Sequence, residues 1–197
     1  MKTLKTTILL TGLLFCLQAK SQNLFPSRVR LNTELKDSMW YATSNAGIVQ
    51  ANEANNEIAF KLDMATIITD DPGLNASLAN IEKQYLFFKG NFPASTLSFT
   101  DTDNETQHDF VGKAFITING ITKQVDYDSE VYSFNNDDQY SVGNNVYPLR
   151  IGLFFEFEPA DFGLDKIYKP LTKFIEVEVS NGLINRTNLG GNTIFPK

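Results

Sequence analysis

The sequence predicts an all-β protein, and three observations carry that prediction. Apolar and polar residues alternate in several short runs, which is the period of a strand with one buried face. The 197-residue chain contains 16 Phe and 7 Tyr, and aromatic residues favour the pleated, half-buried surface of a sheet. Clusters of Asn, Asp, Gly and Pro separate the runs, and these are the residues that form tight turns.

Five runs alternate clearly enough to be predicted as strands. In chain order they are NEIAFKLDMAT (residues 56–66), TLSFT (96–100), GKAFITI (112–118), GLFFEFE (152–158) and FIEVEVSNG (174–182). The last is the most regular, with Ile175, Val177 and Val179 inward and Glu176 and Glu178 outward. Each run is about as long as a typical strand.

Six turn-forming clusters punctuate the chain. They are Asn55-Asn56, Asp71-Pro72-Gly73, Asn119-Gly120, residues 135–138, residues 143–145 and Asn181-Gly182. Because Asn and Gly both tolerate positive φ, Asn119-Gly120 between two alternating segments predicts a β-hairpin over residues 115–127.

One short helix is predicted between residues 72 and 88, where Leu74, Leu78 and Ile81 recur at three- and four-residue spacing. The length of the chain suits a single domain. Antiparallel strands with one apolar face each can close as two packed sheets or as one barrel, and the pattern alone leaves both open.

Residues 1–21 are typical of a cleavable export signal. Lys2 and Lys5 precede an apolar run from Ile8 to Leu17, and Ala19-Lys20-Ser21 supplies a cleavage site. The apolar run is shorter than the roughly 20 residues needed to span a bilayer. We therefore expect cleavage after Ser21 and a periplasmic or secreted protein without a stable membrane span.

Cysteine content and charge exclude several classes of function. Cys16 is the only cysteine, so the chain after cleavage has neither a disulfide nor a thiolate metal site. Cleavage removes three lysines and no acidic residue, which moves the net charge from −6 to −9. Such a surface repels phosphate backbones and anionic membranes, so we expect no nucleic-acid partner.

Side chains suited to catalysis or metal binding are too sparse to predict an enzyme. His108 is the only histidine, and a lone His beside an Asp in a polar loop is usually a surface residue. The acidic clusters at residues 101–103 and 135–138 lack the spacing of an EF-hand. No G-x-S-x-G segment marks a nucleophilic serine. We expect no catalytic residue, metal site or cofactor.

Several segments resemble those of the YceI-like family, the bacterial lipid- or polyisoprenoid-binding proteins. ITINGITKQV (residues 116–125) resembles the family segment LTI-x-G-V-T-K-x-V, and FEFEPADFGL (155–164) resembles x-I-x-R-x-D-F-G-I. Upstream, EIAFKLDMATIIT (57–69) resembles a strand ending in S-I-x-T, and NFPASTLSF (91–99) resembles K-Y-P-x-I-x-F. The final run matches the last strand of the family. These matches occur in the family's order.

The resemblance implies a lipocalin-like antiparallel β-barrel of about eight strands, a size just wide enough for one slender ligand. We expect one domain over residues 22–187 and, because residues 188–197 are rich in Gly and Asn, a loose tail after it. The family's basic residue before Asp161-Phe162-Gly163 is replaced here by Glu158-Pro159-Ala160, which leaves the head-group contacts open. In this setting Asp161-Phe162-Gly163 is expected to form a turn, with Phe162 plugging one end of the barrel.

The leading interpretation is non-enzymatic binding, sequestration or transport of a polyisoprenoid or fatty chain inside the barrel. The expected wall residues are apolar and inward-facing: Phe60, Leu62, Met64, Phe99, Ile116, Ile118, Leu153, Phe155, Phe157, Val177 and Val179. The same residues could instead pack against each other as a dry core. The barrel would then be an interaction module that binds another envelope protein through loops such as residues 134–146.

Two cations are candidates for pairing with a lipid head group. Lys123 lies just past the hairpin turn, and Arg150 precedes the run GLFFEFE. A solvated side chain is the commoner role for a lysine in such a place. The sequence also leaves the oligomeric state open, a homodimer included.

Overall fold

Antiparallel strands make up most of the computed structural model, which describes residues 26–35, 38–52, 55–80, 84–93, 106–133, 141–142, 145–146, 149–164 and 174–184. The strands are β1 Ser27–Leu35, β2 Ser38–Asn52, β3 Glu57–Asp63, β4 Ile68–Thr69, β5 Tyr85–Asn91, β6 Thr106–Ile118, β7 Ile121–Ser133, β8 Ser141–Val142, β9 Asn145–Val146, β10 Leu149–Phe157 and β11 Ile175–Ile184. The helix α1 spans Pro72–Ala79, and two short 3₁₀ segments span Met64–Thr66 and Pro159–Phe162.

Eight of the strands close into a ring. Their hydrogen-bonded order is β1-β11-β10-β7-β6-β5-β3-β2, and β2 pairs again with β1. The two-residue strand β4 attaches to β2, while β8 and β9 pair only with each other. The choice between a sandwich and a barrel is thereby resolved as a barrel, and the expectation of about eight strands with one short helix is confirmed.

The hairpin at Asn119-Gly120 is confirmed and is longer than predicted. Asn119 and Gly120 have φ angles of 54° and 74°, and Ile118 pairs with Ile121 directly across the turn. The two-residue connection with both φ angles positive matches the right-handed twist of the flanking strands. Asn56, which has a φ of 52°, similarly turns the chain from β2 into β3.

The prediction of a turn at Asn181-Gly182 is wrong, because β11 continues through these residues. Ile151 pairs with Gly182, whereas Leu153 pairs with Val179, so β11 carries one extra residue at this point. Asn181 takes up that residue with a φ of 59°. An inserted residue of this kind is a β-bulge, which uses the same positive-φ residues as a turn while keeping the strand direction.

The helix is confirmed but ends earlier than residue 88. Asp71 caps α1 by accepting hydrogen bonds from the backbone N–H groups of Gly73 and Leu74, at 2.8 Å and 3.1 Å. The Asp71-Pro72-Gly73 cluster is therefore a helix start rather than a separate turn. β5 follows within the predicted helical segment, and Ile81 lies outside the described residues.

The first two strands of the barrel, β1 and β2, were not predicted. In β1, Val29 and Leu31 are buried while Arg28 and Arg30 are exposed, but this alternation is too short to stand out. In β2 the buried side chains include Ala42 and Ser44. Small and polar residues on the inner face remove the contrast on which alternation depends.

A single hydrophobic cluster fills the ring and extends under α1 through Leu74 and Leu78. On the outside, alternate positions are polar or charged, as in Glu156 and Glu176. Within the described ranges, none of the helical segments has the length and apolarity needed to cross a bilayer.

We expect Gly182→Ala to destabilise the protein. A Cβ atom at Gly182 would lie 2.8 Å from the carbonyl oxygen of Ile151 and 2.9 Å from a methyl group of Val49. Because the backbone oxygen cannot move aside without disturbing the bulge, overpacking should lower the free energy of unfolding by about 1–3 kcal/mol.

Urea unfolding measures this loss, and Gly152→Ala is the matched control. A Cβ at Gly152 meets nothing closer than 3.6 Å, so that variant should stay within about 0.5 kcal/mol of wild type. Equal stability of the two variants would contradict the bulge packing.

Candidate ligand-binding site

The predicted wall residues that the structure describes all lie inside the barrel, and none is more than 6% exposed. They are Phe60, Leu62, Met64, Ile116, Ile118, Leu153, Phe155, Phe157, Val177 and Val179. Phe99 lies outside the described residues. The inward orientation of these ten is thus confirmed, whereas their contact with a lipid stays a prediction.

Aromatic rings fill the middle of the barrel. The ring of Phe155 lies 6.5 Å from that of Phe60 and 5.0 Å from that of Phe88, between centroids. Phe88 in turn packs edge-on against Tyr127 at 5.1 Å. These separations are those of favourable aromatic pairs. The central level of the barrel is therefore occupied by the protein's own side chains.

Tyr127 ties this aromatic cluster to the backbone. Its hydroxyl donates a 2.7 Å hydrogen bond to the carbonyl oxygen of Asn91. Its ring lies over two glycines, since Cβ atoms at Gly90 and Gly112 would come within 3.0 Å and 2.8 Å of it. Burial raises the pKa of Tyr127 to about 12, because the phenolate would lose its hydration there.

An apolar cavity of about 40 Å³ lies at the end of the barrel that α1 covers. Its lining residues come from the barrel strands, from α1 and from the segments at Ile67 and Leu164: Leu31, Trp40, Leu62, Met64, Ile67, Leu74, Leu78, Leu86, Phe157, Leu164 and Ile175. Of the predicted wall residues, it includes Leu62, Met64 and Phe157. No charged side chain lines it among the described residues.

The helix α1 covers this cavity with two leucines. Leu74 and Leu78 are buried one helical turn apart, as their four-residue spacing predicts. The start of α1 is held beside the barrel by Asn75, which bonds the backbone and hydroxyl of Thr69 at 2.8–2.9 Å. The periodicity identified these leucines as one face of a helix, but not as part of a ligand site.

Two buried polar atoms at this end have no hydrogen-bond partner in the described part of the chain. One is Nε1 of Trp40, which lines the cavity, and the other is Oε1 of Gln84. The backbone carbonyl of Gln84 accepts a hydrogen bond from the N–H of Met64, another lining residue, at 2.9 Å. A donor and an acceptor are thus left unpaired at the apolar end of the barrel.

A family model described as a YceI-like domain matches residues 28–182. The chain belongs to the YceI-like family. It is also similar in structure to a polyisoprenoid binding domain from Saccharophagus degradans implicated in plant cell wall breakdown, with a TM-score of 0.54 and 10% sequence identity over 80% of this chain and 92% of that chain. At this identity the likeness shows the shared fold. No curated protein matches the sequence.

Two of the segments that resemble the YceI-like family meet in space. Asn119, at the turn of ITINGITKQV, donates a hydrogen bond of 3.0 Å to the carbonyl oxygen of Phe162 in FEFEPADFGL. Phe162 is 1% exposed and packs edge-on against Phe157 at 5.6 Å, while Gly163 turns the chain with a φ of 71°. The expected turn, with Phe162 closing the barrel end, is confirmed.

A second, larger concavity of about 720 Å³ involves the outer face of β7, β10 and β11. Its lining includes seven carboxylates: Asp126, Asp128, Glu156, Glu158, Asp161, Glu176 and Glu178. Lys123 is the one cation among the described lining residues, and the exposed rings of Phe154 and Phe174 lie between the acids. Glu156 and Glu176 stand directly opposite on paired strands, an arrangement in which like charges repel. This outer groove is therefore acidic, whereas the cavity under α1 is apolar.

Other sequence candidates lie away from the cavity. His108 lies in β6 rather than in a loop and is exposed. Lys123 pairs with Asp161 at 3.3 Å on the surface, and Arg150 stacks on the ring of Tyr132 at 4.1 Å. No group of three acidic, His or Cys side chains in the described ranges is placed to hold a metal ion.

We expect Tyr127→Phe to lower stability at neutral pH and to flatten its alkaline decline. Loss of the hydrogen bond to Asn91 should cost about 1 kcal/mol. The raised pKa of Tyr127 means that the stabilising contribution of the neutral phenol is complete below its ordinary value of 10.0 and is lost as the pH rises through about 12.

Urea unfolding from about pH 9 to about pH 12 checks this, with the exposed Tyr41→Phe as control. Wild type and the Tyr41 variant should lose more stability over that interval than the Tyr127 variant. Parallel declines in all three proteins would show that Tyr127 does not set the alkaline limit.

Proposed function

We propose that the protein binds the apolar chain of a lipid, of which a polyisoprenoid is the leading candidate, at the barrel end covered by α1. The observation that carries this function is the cavity under α1, whose lining is apolar apart from the indole N–H of Trp40. The description of the structurally similar domain as polyisoprenoid binding supports the choice of ligand. We propose binding rather than catalysis, because the described side chains that line the cavity offer a ligand apolar surface.

The volume of the cavity sets how the chain must enter. A cavity measured in this way needs roughly 10–15 Å³ to hold one water molecule, so a cavity of about 40 Å³ accepts only the first few carbon units of a lipid. The aromatic rings prevent deeper entry without rearrangement. The remaining chain therefore lies between α1 and the rim of the barrel, where each buried CH₂ contributes about 0.8 kcal/mol.

The helix α1 is suited to move for this purpose. With 8 residues, it is too short to be stable alone and depends on what Leu74 and Leu78 contact. An apolar ligand offers those leucines an equivalent surface. Separation of α1 from the rim thus exchanges one apolar contact for another instead of exposing both to water.

We further propose that the protein acts in the cell envelope or outside the cell, after removal of residues 1–21. It is supported by the basic start and short apolar run of that segment. Intact-mass measurement of the protein recovered from the periplasm or medium should show Gln22 as its first residue. Recovery from the cytoplasm with residues 1–21 attached would overturn this part of the proposal.

We expect Leu78→Phe to reduce lipid binding, because the larger ring fills the cavity from the side of α1. Loss of the space for one or two carbon units, at about 0.8 kcal/mol each, should weaken the binding of a long-chain polyprenol about tenfold. Native mass spectrometry of the purified protein titrated with the polyprenol measures the bound fraction.

Ala76→Phe is the matched control, since Ala76 lies on the exposed side of the same helix. That variant should bind as wild type does. A wild-type protein that takes up no polyprenol would refute the function. Unchanged binding by the Leu78 variant would show that the lipid binds somewhere other than this cavity.

Docking of another envelope protein is the second candidate function, and the outer groove favours it. Exposed Phe154 and Phe174 among carboxylates suit a partner surface that is basic and partly apolar. Of the loop region 134–146, the structure describes only β8 and β9. Failure to bind polyprenol, together with binding of a basic peptide that Phe154→Ala abolishes, would favour this function.

A further inference from the structure

The indole N–H of Trp40 is a polar group in an otherwise apolar wall. Trp40 occupies every second position along β2 together with Ala42 and Ser44, whose side chains are buried inside the barrel, so it faces the same side as they do. It also lines the cavity. Its Nε1 atom is buried and has no hydrogen-bond partner within the described ranges. Thr33, directly across the strand pair, donates its own hydroxyl proton to the carbonyl oxygen of Phe174 at 2.8 Å. A buried donor in this state is destabilising until an acceptor reaches it.

Gln84 supplies the complementary group. Its Oε1 atom is an acceptor, buried and likewise unpartnered in the described part of the chain. Gln84 is not itself a lining residue, but it lies two residues before Leu86, which lines the cavity, and precedes β5 by one residue. Its backbone is bonded to Met64 on the neighbouring segment. One unpaired donor and one unpaired acceptor therefore lie at the same end of the barrel.

We propose that the lipid carries an uncharged oxygen group that accepts from Trp40 Nε1 and donates a proton towards Gln84, as a hydroxyl or a primary amide does. This inference rests on the proposed lipid-binding function and adds the class of head group. A neutral group suits this site better than a carboxylate or phosphate, because the described lining residues are uncharged and a buried charge without a partner is strongly unfavourable. The oxygen group thus selects the lipid, and the apolar chain supplies the affinity.

The test compares three probes of equal chain length: a long-chain primary alcohol, its methyl ether and the n-alkane. For wild-type protein the alcohol should bind about fivefold tighter than the alkane, which corresponds to one net hydrogen bond. The ether accepts but cannot donate, so its affinity should fall between the two. In Trp40→Phe the ratio of alcohol affinity to alkane affinity should fall to about one, whatever the smaller ring does to the affinity for the alkane itself.

Ser27→Ala is the matched control, because Ser27 Oγ is also buried and unpartnered among the described residues but does not line the cavity. It should keep the preference for the alcohol. Equal binding of alcohol and alkane by wild type, or an alcohol preference that survives in Trp40→Phe, would overturn the head-group inference and leave lipid binding intact. Failure of all three probes to bind would instead refute lipid binding itself.

A spectroscopic measurement on wild type decides the question even if Trp40→Phe does not fold. Trp40 is the only tryptophan in the chain, so the fluorescence excited in indole reports on this site alone. A hydrogen bond to its N–H should shift the emission to longer wavelength with the alcohol but not with the alkane. Identical emission in the two complexes would overturn the inference.

Discussion

The internal width of an eight-stranded barrel governs the rest of this structure. Such a barrel holds either its own side chains or one slender ligand, and here the rings of Phe60, Phe88, Tyr127 and Phe155 occupy the central space. Protein interiors pack as densely as organic crystals, so a lipid chain cannot share that level with the rings. Space for a ligand is left at the end of the barrel, beneath the short helix α1.

The inner and outer faces of the same sheet are thereby adapted to opposite chemistries. On β10, Phe157 borders the apolar cavity while Glu156 and Glu158 face the acidic outer groove. The alternation of a strand makes this separation automatic, because neighbouring residues point to opposite sides. A neutral lipid that suits the cavity gains nothing from the groove, and a cation drawn to the groove is rejected by the cavity.

Much of the barrel could be predicted from the sequence, but its ends could not. Alternation located the inward residues of β3, β6, β10 and β11 because large apolar side chains alternate there with polar ones. It missed β2, whose inner face carries Ala42 and Ser44, and it took the positive-φ residues of the bulge at Asn181 for a turn. Leu62, Met64 and Phe157 of the cavity were predicted. Trp40 and Leu164 were not predicted. They belong to segments that are far apart in sequence and meet only in the folded barrel, so a local pattern of residues cannot reveal that they share a cavity.

The pairing of β1 with β11 joins the first and last strands of the ring, so it determines when the barrel can close. Arg30 and Glu178 face each other across this seam although 148 residues separate them in sequence. Contacts so remote along the chain form slowly, since a long loop must close before they are gained. In a polypeptide made from its N-terminus, β11 is the last strand of the ring to be synthesised, so the ring cannot close before residues 175–184 have been made. Until then β1 and β10 lack the neighbour that they share, and the sheet has two unpaired edges.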